Sequence, residues 1–189
     1  MDQAVLRVLE LKYRLGLFDN PFRSSVDRWK EVQKRKNEHR KLARKIAQES
    51  IVLLKNDADI LPLKKTEKVL FMGPLVTDQE AMLDTWACNG KAEDIVSVAE
   101  ALNEQENYVA MSEAFNAFRR DGILSEDTIK AISENEKVVL VLGEKAIESG
   151  EAKSKASIEL DAIQDNFLKA VYQLSLIHIS EPTRLDVIS

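Results

Sequence analysis

The sequence predicts an α/β fold, with a mostly parallel sheet that carries helices on its faces and is incomplete. Three observations predict it. Two short apolar runs, KVLFMGP at 68–74 and VVLVLG at 138–143, each stop at a glycine, as strands buried on both faces do. Segments with apolar residues at helical spacing separate them. Only three strands can be counted along the chain, where a sheet usually has about five or six.

The elements follow in order. Asp2 to Leu15 places Val5, Val8, Leu9, Leu11 and Leu15 on one helical face, and Gly16 is a stop signal. Charges throughout this segment exclude a signal peptide. Asn20-Pro21 marks a turn. From Arg28 to Lys45 there are nine Lys or Arg residues against two Glu. That run reads as a nucleic-acid patch or as a solvated helix or linker, and the acidic remainder favours the second. A helical pattern then runs from His39 through Leu42, Ile46, Ile51 and Leu54. After the first apolar strand, Thr77 with Glu80 has capping-box spacing for a short helix. Ile95, Val98, Ala99 and Leu102 form the next helical face. Asn107 to Met111 is a weak strand. Ser125 or Asp127 caps a helix carrying Ile129, Ala131 and Ile132. The strand Val138 to Leu142 follows, and Ile158, Leu160, Ile163, Phe167, Leu168 and Val171 read as a final helix.

Composition narrows the function. The chain has 189 residues and a formal net charge of −5, which argues against nucleic acid or an anionic membrane as partner. No apolar run approaches a membrane span. One cysteine, Cys88, and two histidines, His39 and His178, leave no basis for a zinc site or an internal disulfide. Neither a phosphate-binding loop nor a dinucleotide fingerprint occurs. No metal and no cofactor is expected. Carboxylates, hydroxyls and lysines remain for chemistry.

The carboxylates cluster where a site belongs. In open parallel sheets, ligands bind just past the carboxyl ends of strands. Glu144, Glu148 and Glu151 follow Gly143 there. They are either solvated loop charges, or one of them does chemistry. Cys88 reads as a packing residue.

The tail departs from the rest. LSLIHISEPTR, Leu174 to Arg184, does not continue the helical pattern. It resembles, codon for codon, a translated transposon-type sequencing adapter. Residues 174–189 are therefore expected to be artefactual, with the natural gene interrupted near Gln173.

Four stretches carry a family resemblance. AVLRVLELKYRLGLFDNPF resembles the segment that leaves the (β/α)8 barrel of glycoside hydrolase family 3, of the bacterial β-glucosidase type. HRKLARKIAQESIVLLKNDADILPL resembles the entry to that family's second domain. KVLFMGPL with MLDTWACNG resembles its strand-G-P-L and G-x-W loop. VVLVLGEKAIESGEAKSKASIEL resembles the loop that carries its acid/base glutamate. The resemblance spans about residues 1 to 173.

It implies a fold and a division of the chain. Residues 1–20 would be the last helix of a barrel, detached here, and 21–45 a linker. Residues 46–173 would be part of a three-layer α/β sandwich. It also implies an activity: hydrolysis of β-linked glucosides or xylosides with retention. Such enzymes need two carboxyl groups about 5 Å apart, one a nucleophile and the other an acid that later acts as base. The acid must stay protonated near neutral pH, which burial and a neighbouring carboxylate achieve. In the family register the acid/base falls on Glu151. Glu144 lies too near the strand end, and Glu148 is off register. Trp86 matches the G-x-W tryptophan and would stack on a sugar near the leaving-group subsite. By itself it reads equally as a half-buried packing residue. Lys155 stands where relatives often have arginine, and so lacks the bidentate fork.

The barrel nucleophile, usually within Ser-Asp-Trp, has no counterpart. Trp29 follows Asp27-Arg28, and Trp86 follows Asp84-Thr85. The expectation is a fragment of a glycosidase whose substrate is a β-linked oligosaccharide or glycoside. The missing barrel domain is its partner in the parent chain, and the fragment alone is expected to be inactive and poorly folded or self-associating. Many bacterial relatives are periplasmic, which would put a signal peptide upstream. The competing expectation is a stand-alone α/β binding domain without catalysis.

Overall fold

A computed structural model describes residues 2–22, 26–56, 59–83, 85–103 and 105–177. The chain divides into two compact units, Met1–Val52 and Leu53–Ser189.

The first unit is two helices, α1 (Asp2–Arg14) and α2 (Val26–Ser50). Gly16, at φ 66°, takes the left-handed conformation just past α1, as expected of a helix stop. The apolar face of α1 is exposed, from Leu9 at 42% to Leu6 at 64%. The stretch read as a solvated helix or linker is helical from Val26 onward. α2 contains no glycine or proline and is rich in Lys, Arg and Glu, which are good helix formers. The helix also stops sooner than its apolar spacing suggested. Ile51 to Leu54 lie outside the helix and are exposed.

The second unit is a parallel sheet of three strands: β1 (Val69–Met72), β2 (Tyr108–Met111) and β3 (Lys137–Leu140). The order is β2-β1-β3. Val69 pairs with Tyr108 on one side and with Lys137 on the other. The α/β fold read from the sequence is thus the observed one. β1 is central and wholly buried. β3 pairs only with β1 among the described residues, so Lys137, Val138 and Val139 are half-buried and only Leu140 is fully buried. The expectation that this strand lies buried on both faces holds less well than for β1, because its second edge has no neighbour there.

Period-2 alternation sorts the strand residues. Leu70 and Met72 point with Leu140 and Leu142 into a core that also holds Ala114, Phe115, Phe118, Ile132, Phe167 and Val171. Phe167 is its centre, meeting Phe115 and Phe118 edge-on at 5.3 Å in each case. Such contacts add about 0.5–1.5 kcal/mol each beyond area burial. Val69 and Phe71 face the other way, and the Phe71 ring lies 5.6 Å from Tyr108.

Short helices fill the crossovers. α3 (Gln79–Leu83) is capped by Asp78, whose Oδ1 accepts from the Ala81 amide at 2.9 Å; Thr77 is not the cap. α4 (Val98–Leu102) starts at a capping box formed by Ser97 and Glu100. It begins after Ile95, which follows a single 3-10 turn at Ala92–Asp94. α5 (Glu113–Asp121) was not foreseen, although Gly122 at φ 70° closes it in the expected way. α6 (Glu126–Glu134) is capped by Ser125, not Asp127. α7 spans Ala162–Ile177. Ile158 is fully exposed before it, and Leu160 is half-buried. Its last residues, Leu174 to Ile177, belong to the tail expected to break the helix, and Leu174 packs against the core. The remainder of that tail, with His178, lies outside the described residues.

Lys137 ties the start of β3 to the chain before β1. Its Nζ donates to Glu67 at 2.9 Å and to the Ile60 carbonyl at 3.2 Å. That hydrogen bond from Lys137 holds the Glu67 carboxyl below its ordinary range.

Gly73 ends β1 at φ 129°, and a Cβ there would collide with the Val141 carbonyl. Gly73→Ala is expected to lower stability by more than the about 1–3 kcal/mol of backbone strain alone, because strand β3 must also move. Urea unfolding measures it, with Gly16→Ala as a control that carries left-handed backbone strain at φ 66° in open surroundings.

Candidate active-site loops at the carboxyl end of the sheet

Two loops leave the sheet at the same end. One follows β1 and carries Trp86; the other follows β3 and carries Glu144, Glu148 and Glu151. Parallel strands put both exits on one side. The exits touch: the Val141 amide donates to the Met72 carbonyl at 2.8 Å, and the Val141 carbonyl accepts from Leu75 at 3.3 Å.

A buried amide fixes the second loop. Gln164, 6% exposed, lies in the first turn of α7. Its Oε1 accepts from the Gly143 amide at 3.0 Å, and its Nε2 donates to the Gly143 carbonyl at 2.8 Å. Nε2 also donates to Asp161 Oδ2 at 2.6 Å. Asp161 Oδ1 accepts from the amides of Ile163 and Gln164, both at 2.9 Å, which makes Asp161 the cap of α7. Burial pushes the Asp161 carboxyl up. The hydrogen bonds from Gln164 and Ile163 outweigh that and hold it below its ordinary range. A Cβ on Gly143, at φ 153°, would lie 2.9 Å from Leu75 Cδ1, so that side chain would have to shift.

The three glutamates then separate. Lys155 pairs with Glu144 and, at 3.4 Å, with Glu148. The hydrogen bond to Glu144 raises the Lys155 ammonium above its ordinary value, against a smaller lowering by burial. Lysine at this position therefore clamps its own loop. Glu151 is exposed, and among the described residues it meets no cation and no hydrogen-bond donor. It sits at a turn between Gly150 at φ 115° and Ala152 at φ 59°. A left-handed alanine costs about 1–2 kcal/mol, so the backbone beside Glu151 is strained. The burial expected for a general acid is not supplied by its own loop.

Trp86 is 63% exposed, so the described residues of this chain do not half-bury it. Cys88 is exposed as well, at φ 52°, and is not the packing residue its apolar character suggested. Asp84 lies outside the described residues. Between the loops stands Thr85, whose Oγ1 donates to the carbonyls of Ala146 and, at 2.8 Å, Ser149. So the Trp86 loop and the Glu151 loop meet. The roles of Gln164, Asp161 and Thr85 were not read from the sequence. Asp161 to Gln164 has the spacing of an N-terminal capping pair, and that signal could have found the first two.

Residues 51–178 match the family model described as the glycosyl hydrolase family 3 C-terminal domain. The chain belongs to glycoside hydrolase family 3. Over 90% of its length it is 27% identical to a periplasmic β-glucosidase of Salmonella typhimurium, covering 26% of that protein. A β-xylosidase of Formosa agariphila is 29% identical over 92% of the chain and 25% of its own length. Among solved structures, a mutant β-glucosidase of Listeria innocua in complex with laminaribiose superposes with a TM-score of 0.77. It is 36% identical, over 92% of this chain and 24% of that one. The same enzyme with gluconolactone gives 0.75 at 37% identity. The chain thus spans about a quarter of the length of these family 3 relatives.

Two outcomes are expected at these loops. Gln164→Ala leaves both backbone groups of Gly143 unpaired and lowers stability by about 1–3 kcal/mol; thermal or urea unfolding checks it. The Lys155 clamp has a defined pH window. Its folded value is raised, so its contribution is complete below the ordinary lysine range and disappears as pH climbs through the raised value. The difference in Tm between the wild type and Lys155→Met should hold steady from neutral pH to that range, then shrink.

Proposed function

We propose that this chain is part of a retaining β-glycosidase of the β-glucosidase or β-xylosidase type. It acts on terminal β-linked sugars and supplies Glu151 as the acid/base. The observation that carries this reading is the isolation of Glu151: Lys155 holds Glu144 and Glu148, while Glu151 projects unpaired from a strained turn at the ligand-binding end of the sheet. An exposed tryptophan on the adjoining loop supports a sugar site, since apolar sugar faces stack on aromatic rings. Relatives named for β-glucosidase and β-xylosidase activity support the substrate class.

The mechanism follows from the chemistry. A carboxylate from the barrel attacks the anomeric carbon while Glu151 protonates the leaving oxygen. Glu151, now ionised, then takes a proton from water as the glycosyl-enzyme is hydrolysed. The barrel would bury Glu151 and bring the second carboxylate near, and both effects favour its protonated form. One similar protein is named as periplasmic; we propose the same location for the parent enzyme.

Ser-Asp-Trp does not occur in the 189 residues. The chain alone is expected to show no turnover of aryl β-glucosides, because general acid help by itself contributes only about 10²–10⁴-fold. In the complete enzyme, Glu151→Ala should slow both steps. Azide should restore turnover of substrates with good leaving groups and yield a β-glycosyl azide, because a small anion attacks without needing a base. An unchanged rate in that variant would move the role to Glu148 or Glu144.

A further inference from the structure

The contact between the two loops has a specific chemistry. Thr85 uses both ends of its side chain on the Glu151 loop. Its hydroxyl is a bifurcated donor to the carbonyls of Ala146 and Ser149, the first residue of the 3-10 turn Ala146–Glu148 and the residue that caps its end. Its methyl group meets the next residue: a Cβ built on Gly150 would lie 2.6 Å from Thr85 Cγ2. Gly150 is the residue before Glu151, and Thr85 is the residue before Trp86. α3 ends beside the same 3-10 turn. The Glu151 loop is thus held at three points: Gly143 by Gln164, the Glu144–Glu148 face by Lys155, and Ser149–Gly150 by Thr85. Of these, only Thr85 comes from the other loop.

We infer that Thr85 is a positioning residue, which sets the place of the Glu151 carboxyl relative to the Trp86 platform. This inference rests on the acid/base reading of Glu151. The general acid must reach the leaving oxygen to within hydrogen-bond distance. The leaving group is the part of the substrate that Trp86 would flank. A side chain that joins the two loops therefore fixes the distance on which proton donation depends. Loss of the hydroxyl frees Ala146–Gly150 from the first loop while leaving Glu151 chemically intact. Serine keeps the donor and gives up only the methyl.

The test separates positioning from folding through leaving-group dependence. Protonation matters for an alkyl aglycone and hardly at all for 2,4-dinitrophenolate. In the full-length hydrolase that carries this segment, kcat/KM is measured for methyl and 2,4-dinitrophenyl β-glycosides with Thr85→Val, Thr85→Ser and Glu151→Ala. Thr85→Val is expected to lose about ten- to hundred-fold on the methyl glycoside, as a misplaced catalytic group does, and much less on the dinitrophenyl one. Thr85→Ser is expected to restore most of that loss. The dinitrophenyl rate serves as the internal measure of folded enzyme. An equal loss on both substrates, or none on either, overturns the inference while a strong bias in Glu151→Ala keeps the acid/base reading. No bias in Glu151→Ala overturns both. A second measurement needs no activity: in the same full-length hydrolase, tryptic cleavage after Lys153 and Lys155 should quicken several-fold in Thr85→Val and not in Thr85→Ser. Unchanged cleavage would also overturn the pin.

Discussion

The Val141 carbonyl lies so close over Gly73 that no side chain fits between them. That contact joins β1 and β3 at the level where both leave the sheet. It lets the Val141 peptide bond to Met72 on one side and to Leu75 on the other, so pairing continues one step past the formal strand ends. Every feature of the candidate site is downstream of it. The loop after β1 and the loop after β3 start from adjacent, fixed points, and short side chains such as Thr85 can span them.

From that point the fixing is polar. The core, built on Phe167 and the edge-on rings of Phe115 and Phe118, holds α7 on the sheet. α7 then presents Gln164 to Gly143 as a matched donor and acceptor. A buried amide satisfied on both atoms rigidifies what it touches. The fixing continues outward, through the exposed Lys155 clamp and the Thr85 hydrogen bond to Ser149, up to the strained turn at Gly150–Ala152.

Much of this was legible in the sequence and some was not. The strands at Val69 and Val138 announced themselves as apolar runs closed by glycine, since a parallel strand covered on both faces has no polar alternation to obscure it. β2 was faint because only half of each of its end residues is buried. α5 escaped notice because EAFNAFRRD offers a single short apolar stripe, and its Gly122 stop was the stronger sign. For α2 the charge-rich run allowed a solvated helix or a linker, and its helix formers make it helical. At the site, Glu151 and Trp86 came from resemblance and not from local chemistry. The sorting of three similar glutamates by one lysine, and the span of Thr85 across 64 positions to Ser149, depend on chain geometry that no local pattern records.

The double anchoring of the Glu151 loop also bears on how such a loop can change length. Gly143 at its start and Asp161 at its end both bond to Gln164, so the two ends are tied through one side chain. Residues 151–159 between them are all exposed, and none belongs to the core. For a loop closed in this way, doubling the number of residues costs only about 0.6 kcal/mol of closure entropy. Insertions after Glu151 are thermodynamically cheap and would lengthen the rim beside the candidate site without disturbing the sheet. The loop is therefore a place where chains with this core can diverge in reach.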